Sequence, residues 1–349
     1  MIPVFDGHND FLQRLVAPGA DPAAIWAEGD GSGHIDLPRL RAGGMFGGFF
    51  ALWAPSPAGT DGIDWKARQE NPPYAVPLDQ PIPTGPATEH MLRLAGQLAA
   101  LERSGTLTIC RSVADIETAR DQGRIAAILH MEGAEGVADP DVLHLWHTLG
   151  LRSLGPVWSR ANAHGHGVPF AFPGDPDTGP GLSDQGKALI AECDRLRIMV
   201  DLAHLNAKGI EDVARISGAP LVSTHSGAHA VAPSTRNLTD AQLQMIAATG
   251  GVVGLNFAAG FVRPDGRRLP FDGFDPYLRH LDHLLTHLGE DGVALGSDFD
   301  GALMPNDLAD AAALPRLVEA MRAHGYDTPL LEKICWRNWL SLLSRTWQR

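Results

Sequence analysis

Eight short apolar runs, each followed by a stretch with helical periodicity, recur along this 349-residue chain, and that alternation limits the fold more than any other feature. The runs occupy residues 3–7, 47–52, 125–131, 153–157, 198–202, 220–224, 251–256 and 292–297. They are rich in Val, Ile, Leu and Gly and do not alternate cleanly with polar residues, as expected of strands covered on both faces. Helical patterns between them include 89–103, 183–196, 239–248 and 276–288, with Ser183 and Thr239 placed as N-caps. Eight such units predict an α/β fold of the (β/α)8 barrel type, one domain over 1–349, with an open doubly wound sheet as the competing architecture. Two Pro- and Gly-rich segments break the rhythm. Residues 54–88 follow the second strand; in a barrel this extended loop lies on the catalytic face, as a lid or as a surface excursion or subunit contact. Residues 158–181 follow the fourth strand.

The charge balance narrows the partners. With 28 Lys and Arg against 41 Asp and Glu, the formal charge is −13, which argues against nucleic acid or an anionic membrane as the main partner. Cys110, Cys193 and Cys335 are too few and too far apart for a disulfide framework or a cysteine-based zinc site. They are read as reduced, buried thiols of a cytoplasmic protein. The opening MIPVFDGHND lacks the basic and apolar regions of a secretory signal, and no run reaches the roughly 18 apolar residues that span a bilayer.

Chemistry gathers where the expected strands end. The first ends in Asp6-Gly7-His8-Asn9-Asp10, the third in His130-Met131-Glu132-Gly133, the fifth in Asp201-Leu202-Ala203-His204, the sixth in Thr224-His225 and the eighth in Ser297-Asp298-Phe299-Asp300. These are C-terminal strand ends, the face on which such barrels carry their sites. A buried cluster of three His and three carboxylates needs a cation to offset desolvation and repulsion. His8, Asp10, Glu132, His204 and His225 are too many ligands for one tetrahedral catalytic zinc. Two Zn2+ ions fit: His8, Asp10 and Glu132 hold one, His204 and His225 the other, and Glu132 bridges. Asp298 is left to accept the proton of an activated water and pass it to the leaving group. Asp201 is read either as support for a ligating His or as a structural acid, and Asp300 as orienting or capping the Asp298 loop. The remaining histidines, including His34, His90, His144, His147, His229, His280, His283, His287 and His324, are read as surface or supporting residues.

The motifs carrying these residues resemble the membrane dipeptidase (renal dipeptidase) family, peptidase family M19, of the amidohydrolase superfamily. The similarity runs from Phe5-Asp6-Gly7-His8-Asn9-Asp10 to about Leu340. It includes Met131-Glu132-Gly133, Gly181-Leu182-Ser183-Asp184-Gln185-Gly186, Val200-Asp201-Leu202-Ala203-His204, Ser223-Thr224-His225-Ser226, Arg236-Asn237-Leu238 and Gly296-Ser297-Asp298-Phe299-Asp300-Gly301. The resemblance implies a zinc-dependent barrel enzyme that hydrolyses dipeptides, L-Xaa-D-Xaa among them, with the same five metal ligands. It implies that Arg236 binds the substrate's C-terminal carboxylate. The family's Thr-His-Asn-like segment after strand four, whose His contacts the substrate, reads Trp158-Ser159-Arg160-Ala161-Asn162 here, so Ser159 stands where that His is expected. His164 and His166 are the neighbouring candidates for its role. Near the C-terminus the family's Gly-Gly-Asn becomes Trp336-Arg337-Asn338. The membrane anchor of the animal members is not expected to carry over.

The expected activity is therefore that of a metallo-dipeptidase acting on a small dipeptide, with a homodimer left open. An N-acyl amino acid or lactam amidohydrolase would use the same metal site and the same Arg236. A non-catalytic ligand-binding relative would be expected to have lost some of the ligands.

Overall fold

The computed structural model describes residues 1–57 and 63–348. Eight parallel strands carry the alternation: β1 (Val4–Asn9), β2 (Met45–Trp53), β3 (Ile125–Glu132), β4 (Leu151–Gly155), β5 (Met199–Val200), β6 (Val222–Ser226), β7 (Val252–Leu255) and β8 (Val293–Leu295). β1 to β5 form one continuous sheet and β6 to β8 another. Single parallel bridges, Asp201↔Val222 and Asn9↔Phe299, join the two into a closed barrel. The seams are held by Leu202 N–H donating to Val222 O at 2.7 Å and Asp298 N–H donating to His8 O at 3.0 Å. The (β/α)8 expectation therefore holds over the open sheet.

The strand runs read as apolar throughout because each strand is covered twice. β1 and β3 are buried at every residue. Phe5, Phe49, Ile128, Met199, Val222, Val252 and Ala294 pack together with Trp339, while their neighbours Val4, Phe50, Leu129, Val200, Val253 and Val293 pack with the surrounding helices. That period-two split is the strand geometry at work. Trp339 comes from the C-terminal helix Asn338–Trp347 and donates its indole N–H to Leu295 O at 2.9 Å. Asn338 donates to Glu290 O and Val293 O, so the Trp336-Arg337-Asn338 segment closes the end of the barrel where the strands begin. Two close approaches require glycine: a Cβ at Gly296 would lie 1.9 Å from Thr224 O, and one at Gly301 would lie 2.1 Å from Asp10 Oδ2.

Strand boundaries shift from the sequence expectation. β1 extends to Asn9 and β6 to Ser226, so His8 and His225 lie inside strands rather than just beyond them. The polar residues there continue the ladder because their side chains face inward to one another. A short strand, Leu107–Ile109, pairs with the start of β3 and was not anticipated. Helices 183–196 and 239–248 are confirmed as Asp184–Leu196 and Asp240–Ala248. Ser183 caps the first, and Thr239 forms a capping box with Gln242 in the second.

The two irregular segments meet each other. Tyr74–Ala75 pairs antiparallel with Ala171–Phe172, and Tyr74 donates its hydroxyl to Gly266 O at 2.9 Å. Residues 58–62 of the first excursion lie outside the described residues. Arg160 is fully buried and ties the excursions to the barrel: its guanidinium donates to Glu135 Oε1, Ser56 Oγ and Ala54 O at 2.7–2.9 Å.

Of the non-ligand histidines read as surface or supporting groups, His280 is a supporting one. It is completely buried, accepts from Ala228 N–H at Nδ1 (2.9 Å), and its Nε2 faces Val262 O at 3.1 Å. This pair of contacts fixes a neutral ring, and burial pushes its pKa from 6.5 down to about 4. A proton therefore binds the unfolded chain more tightly than the folded one. Stability is fully present above pH 6.5 and is lost as pH falls from 6.5 toward 4. The contribution is about 3 kcal/mol from this group. In His280→Gln the denaturation midpoint should depend less steeply on pH across that window; an unchanged slope would remove His280 as the cause.

Candidate metal centre and active site

The C-terminal ends of β1, β3, β5, β6 and β8 converge on a cavity of about 400 Å³, a size suited to one small ligand. Asp10, Glu132, His204 and Asp298 lie at its base, and Trp53, Trp158, Phe170 and Phe261 form its walls. Lys66 and Gln69 also line it, so part of the excursion after β2 forms a wall of this cavity.

Glu132 is the centre. Its Oε1 lies 3.6 Å from His8 Nε2, 3.0 Å from His204 Nε2 and 3.5 Å from His225 Nε2. His8 Nε2 is also 3.5 Å from Asp10 Oδ2, and the two other Nε2 atoms are 3.2 Å apart. Three overlapping triads result, each able to direct its ligand atoms at one ion: His8–Asp10–Glu132, Glu132–His204–His225 and His8–His225–Asp298. The first two are the ligand sets expected from the strand ends.

The partners of the ring nitrogens set where lone pairs point. Asp201 accepts from Thr224 N–H and, at 2.6 Å, from the Thr224 hydroxyl. That hydroxyl has spent its proton, so at 2.8 Å it accepts from His225 Nδ1–H and leaves the His225 Nε2 lone pair facing Glu132. Ser159 Oγ lies 2.7 Å from His204 Nδ1 and fixes the orientation of that ring. His8 is fully buried, and neither of its ring nitrogens has a hydrogen-bond partner. Buried imidazoles with uncommitted nitrogens around a carboxylate are costly unless a cation completes them, so the residues present fit a metal.

The charges respond accordingly. Burial pushes Glu132 well above the usual carboxylate range, His8 opposing it, and pushes His204 and His225 well below the usual imidazole range. Burial would also depress His8, but Glu132, Asp10 and Asp298 outweigh it and hold it up at about 10. Burial raises Asp298 to about 6 against the pull of His8. A cation among these groups acts in the opposite sense on the carboxylates.

Asp298 sits in the left-handed region at φ 60°, as do His204 at φ 68° and Asp300 at φ 65°. Among the described residues, three of the four non-glycine residues with positive φ thus belong to this site, where such strain is typically held by the surrounding structure. Asn256 at the end of the seventh strand donates to Asp298 Oδ2 at 3.0 Å, and Asp6 anchors the preceding Ser297 through its N–H and hydroxyl. Asn256 and Asp6 were missed from sequence; both stood at strand ends without being singled out. Asp300 accepts from His34 N–H and returns its own N–H to His34 Nδ1, which makes it the latch of the Asp298 loop.

Arg236 is buried against this cluster. Its Nη2 lies 3.1 Å from His225 O, to which it donates, and 3.3 Å from His204 Nε2; its Nε has no partner. The other expected substrate contacts are not all brought in. Ser159 faces His204 rather than the cavity. His164 is buried with Nε2 against Ala134 O and Val137 O at 3.0–3.1 Å, and it does not line the cavity. His166, whose backbone bridges to Ala161, is also absent from the lining.

Among known proteins the likeness extends over the whole chain. It is 56% identical to a metallo peptidase from Rhodobacter sphaeroides solved with a phosphinate mimic of the dipeptide L-Ala-D-Ala, covering 99% of both chains with a TM-score of 0.96. It is 55% identical to the solved dipeptidase AC, a metallo peptidase of family M19, over 100% of this chain and 99% of that one, TM-score 0.96. An uncharacterized protein in the pqqA 5′ region of Klebsiella pneumoniae is 47% identical over 72% of this chain and 96% of its own. The family profile of membrane dipeptidase, peptidase family M19, matches residues 1–348. The chain belongs to that family and is a metallo-dipeptidase, a metal-binding hydrolase of peptide bonds.

Proposed function

We propose that this enzyme is a binuclear zinc dipeptidase that cleaves dipeptides with a free C-terminal carboxylate, L-Xaa-D-Xaa among them. The observation that carries the reading is the shared position of Glu132 Oε1, within 3.6 Å of three histidine Nε2 atoms from three strands. His8, Asp10 and Glu132 would hold one ion, and Glu132, His204 and His225 the other. When bound, such a pair lowers the pKa of water and polarises the scissile carbonyl. Asp298 accepts the proton of the attacking water at the oxygen that Asn256 leaves free, and returns it to the leaving amine. The L-Ala-D-Ala mimic bound by the Rhodobacter sphaeroides relative supports the choice of dipeptide stereochemistry.

Arg236 is the proposed carboxylate anchor. Its Nη2 shares the His204 Nε2 lone pair with any cation placed there. A cation on that nitrogen frees the donor, and Nε is unpartnered already. A buried guanidinium with free donors suits a carboxylate. Arg236→Ala should raise KM for dipeptides by the worth of a charge-assisted hydrogen bond, about 1.5–3 kcal/mol. Amidating the substrate's C-terminus should cost the wild type as much. A mutant that still prefers free-acid dipeptides by the wild-type ratio would exclude Arg236 as the anchor.

The three cysteines are buried and unpaired, in keeping with a cytoplasmic setting, and no helix among the described residues is long and apolar enough to cross a membrane. Hydrolysis of a stereochemically resolved dipeptide panel, beside N-acyl amino acids and with and without added zinc, tests the reading. Preferred turnover of N-acyl amino acids would favour the amidohydrolase alternative.

A further inference from the structure

Beyond the cavity, one other group of three metal-ligating side chains occurs among the described residues: Asp240, His283 and His287, with ligand atoms all within 4.8 Å of one another. The two histidines are one helical turn apart on Asp275–Leu288, so they share a face. Asp240 is the first residue of the neighbouring helix, Asp240–Ala248. Asp240 Oδ1 lies 2.7 Å from His283 Nε2 and 3.7 Å from His287 Nε2, and the two rings are 4.6 Å apart at 33°. In a tetrahedral zinc site with bonds of about 2.0–2.1 Å, ligand atoms are about 3.3–3.4 Å apart. The observed separations bracket that value. The side chains are 48% exposed for Asp240 and 23% and 19% for the histidines, so solvent reaches the site and leaves room for a water as fourth ligand.

We propose that Asp240, His283 and His287 form a separate binding site for a borderline divalent transition metal, zinc or copper in class. Two imidazoles and one carboxylate are a donor set for such ions rather than for calcium or magnesium, which take mainly oxygen ligands. The ion joins the helix before β7 to the helix before β8. It therefore stabilises the folded state by linkage, since the unfolded chain does not hold the three groups together. It does not touch the residues that line the cavity, so the turnover of the enzyme does not depend on it.

The test titrates the metal-loaded holoenzyme with Zn2+ and with Cu2+, counting ions per chain after gel filtration and following the melting temperature. Wild type should take up one ion more than the variant His283→Gln/His287→Gln, and its melting temperature should rise with the added metal. The double variant should lose that ion and that rise while keeping wild-type dipeptide turnover. Asp240→Asn should bind the ion at least tenfold more weakly, which keeps the proposal testable if the double variant misfolds. His324→Gln, at another exposed His–carboxylate pair, should bind as wild type does. Equal uptake by wild type and both site variants, or uptake lost equally in His324→Gln, would overturn the site. The comparison is between variants of one preparation, so it stands whether the active site carries one ion or two.

Discussion

Asp298→Asn is expected to retain its full metal complement while kcat falls about 10²- to 10⁴-fold, the range typical of lost general acid–base catalysis. The substitution keeps the shape and removes the basicity. Asn256 holds Oδ2 at 3.0 Å, and Asp6 with Ser297 fixes the loop, so the variant side chain should keep its place. Burial sets this carboxyl at about 6 in the protein's own field, which makes it a group that holds and releases a proton near neutrality. As a base it must be ionised, so activity falls as pH drops through its pKa, and a neighbouring cation moves that limb lower. The variant should lose the limb. The rival role comes from the same geometry: Asp298 shares a triad with His8 and His225 and is close enough to be a ligand. In that case Asn would empty one metal position, and zinc stoichiometry measured with kcat on one preparation separates the two. Full metal with near-normal kcat would sink both and move attention to Asp300, which borders the same cavity although its carboxylate is turned to His34.

Much of this site was legible because a barrel converts chain order into place. The polar residues His8, Glu132 and His225 stand at the C-terminal ends of the apolar runs of β1, β3 and β6, and there they face one another. What supports them was not legible. Thr224 and Asp201 act on His225 through a hydroxyl whose proton direction depends on a cross-strand neighbour, and no spacing in the chain encodes that contact. The positions of His164 and His166 relative to the cavity were not legible either. Both follow Ser159 in an irregular segment, where side-chain direction follows no period, and neither is among the residues that line the cavity. The Tyr74–Ala75 pairing with Ala171–Phe172 is two residues long, too short to leave a periodic signature.

Glu132→Gln is expected to disturb both ion positions at once. Glu132 is the one acid shared by the His8–Asp10 and the His204–His225 triads. The amide keeps one neutral oxygen and removes the negative charge that faces three imidazole nitrogens at 3.0–3.6 Å. Each triad is then left with two full ligands, fewer than the three that catalytic zinc sites keep. Metal content should drop by at least one ion per chain. Losing about 4 kcal/mol of charge stabilisation corresponds to roughly a 10³-fold loss in kcat/KM. Cys193→Ser, a buried thiol in the helix Asp184–Leu196, should change neither quantity. Proton uptake on chelation gives a second reading. Burial raises the Glu132 pKa in the protein's own field, so stripping metal from the wild type with a chelator should draw protons from solution, and the variant should draw fewer. A Glu132→Gln enzyme that still bound two ions and took up as many protons on chelation would show that the ions do not share this carboxylate. The ligand sets would then have to be redrawn around the third triad, His8, His225 and Asp298.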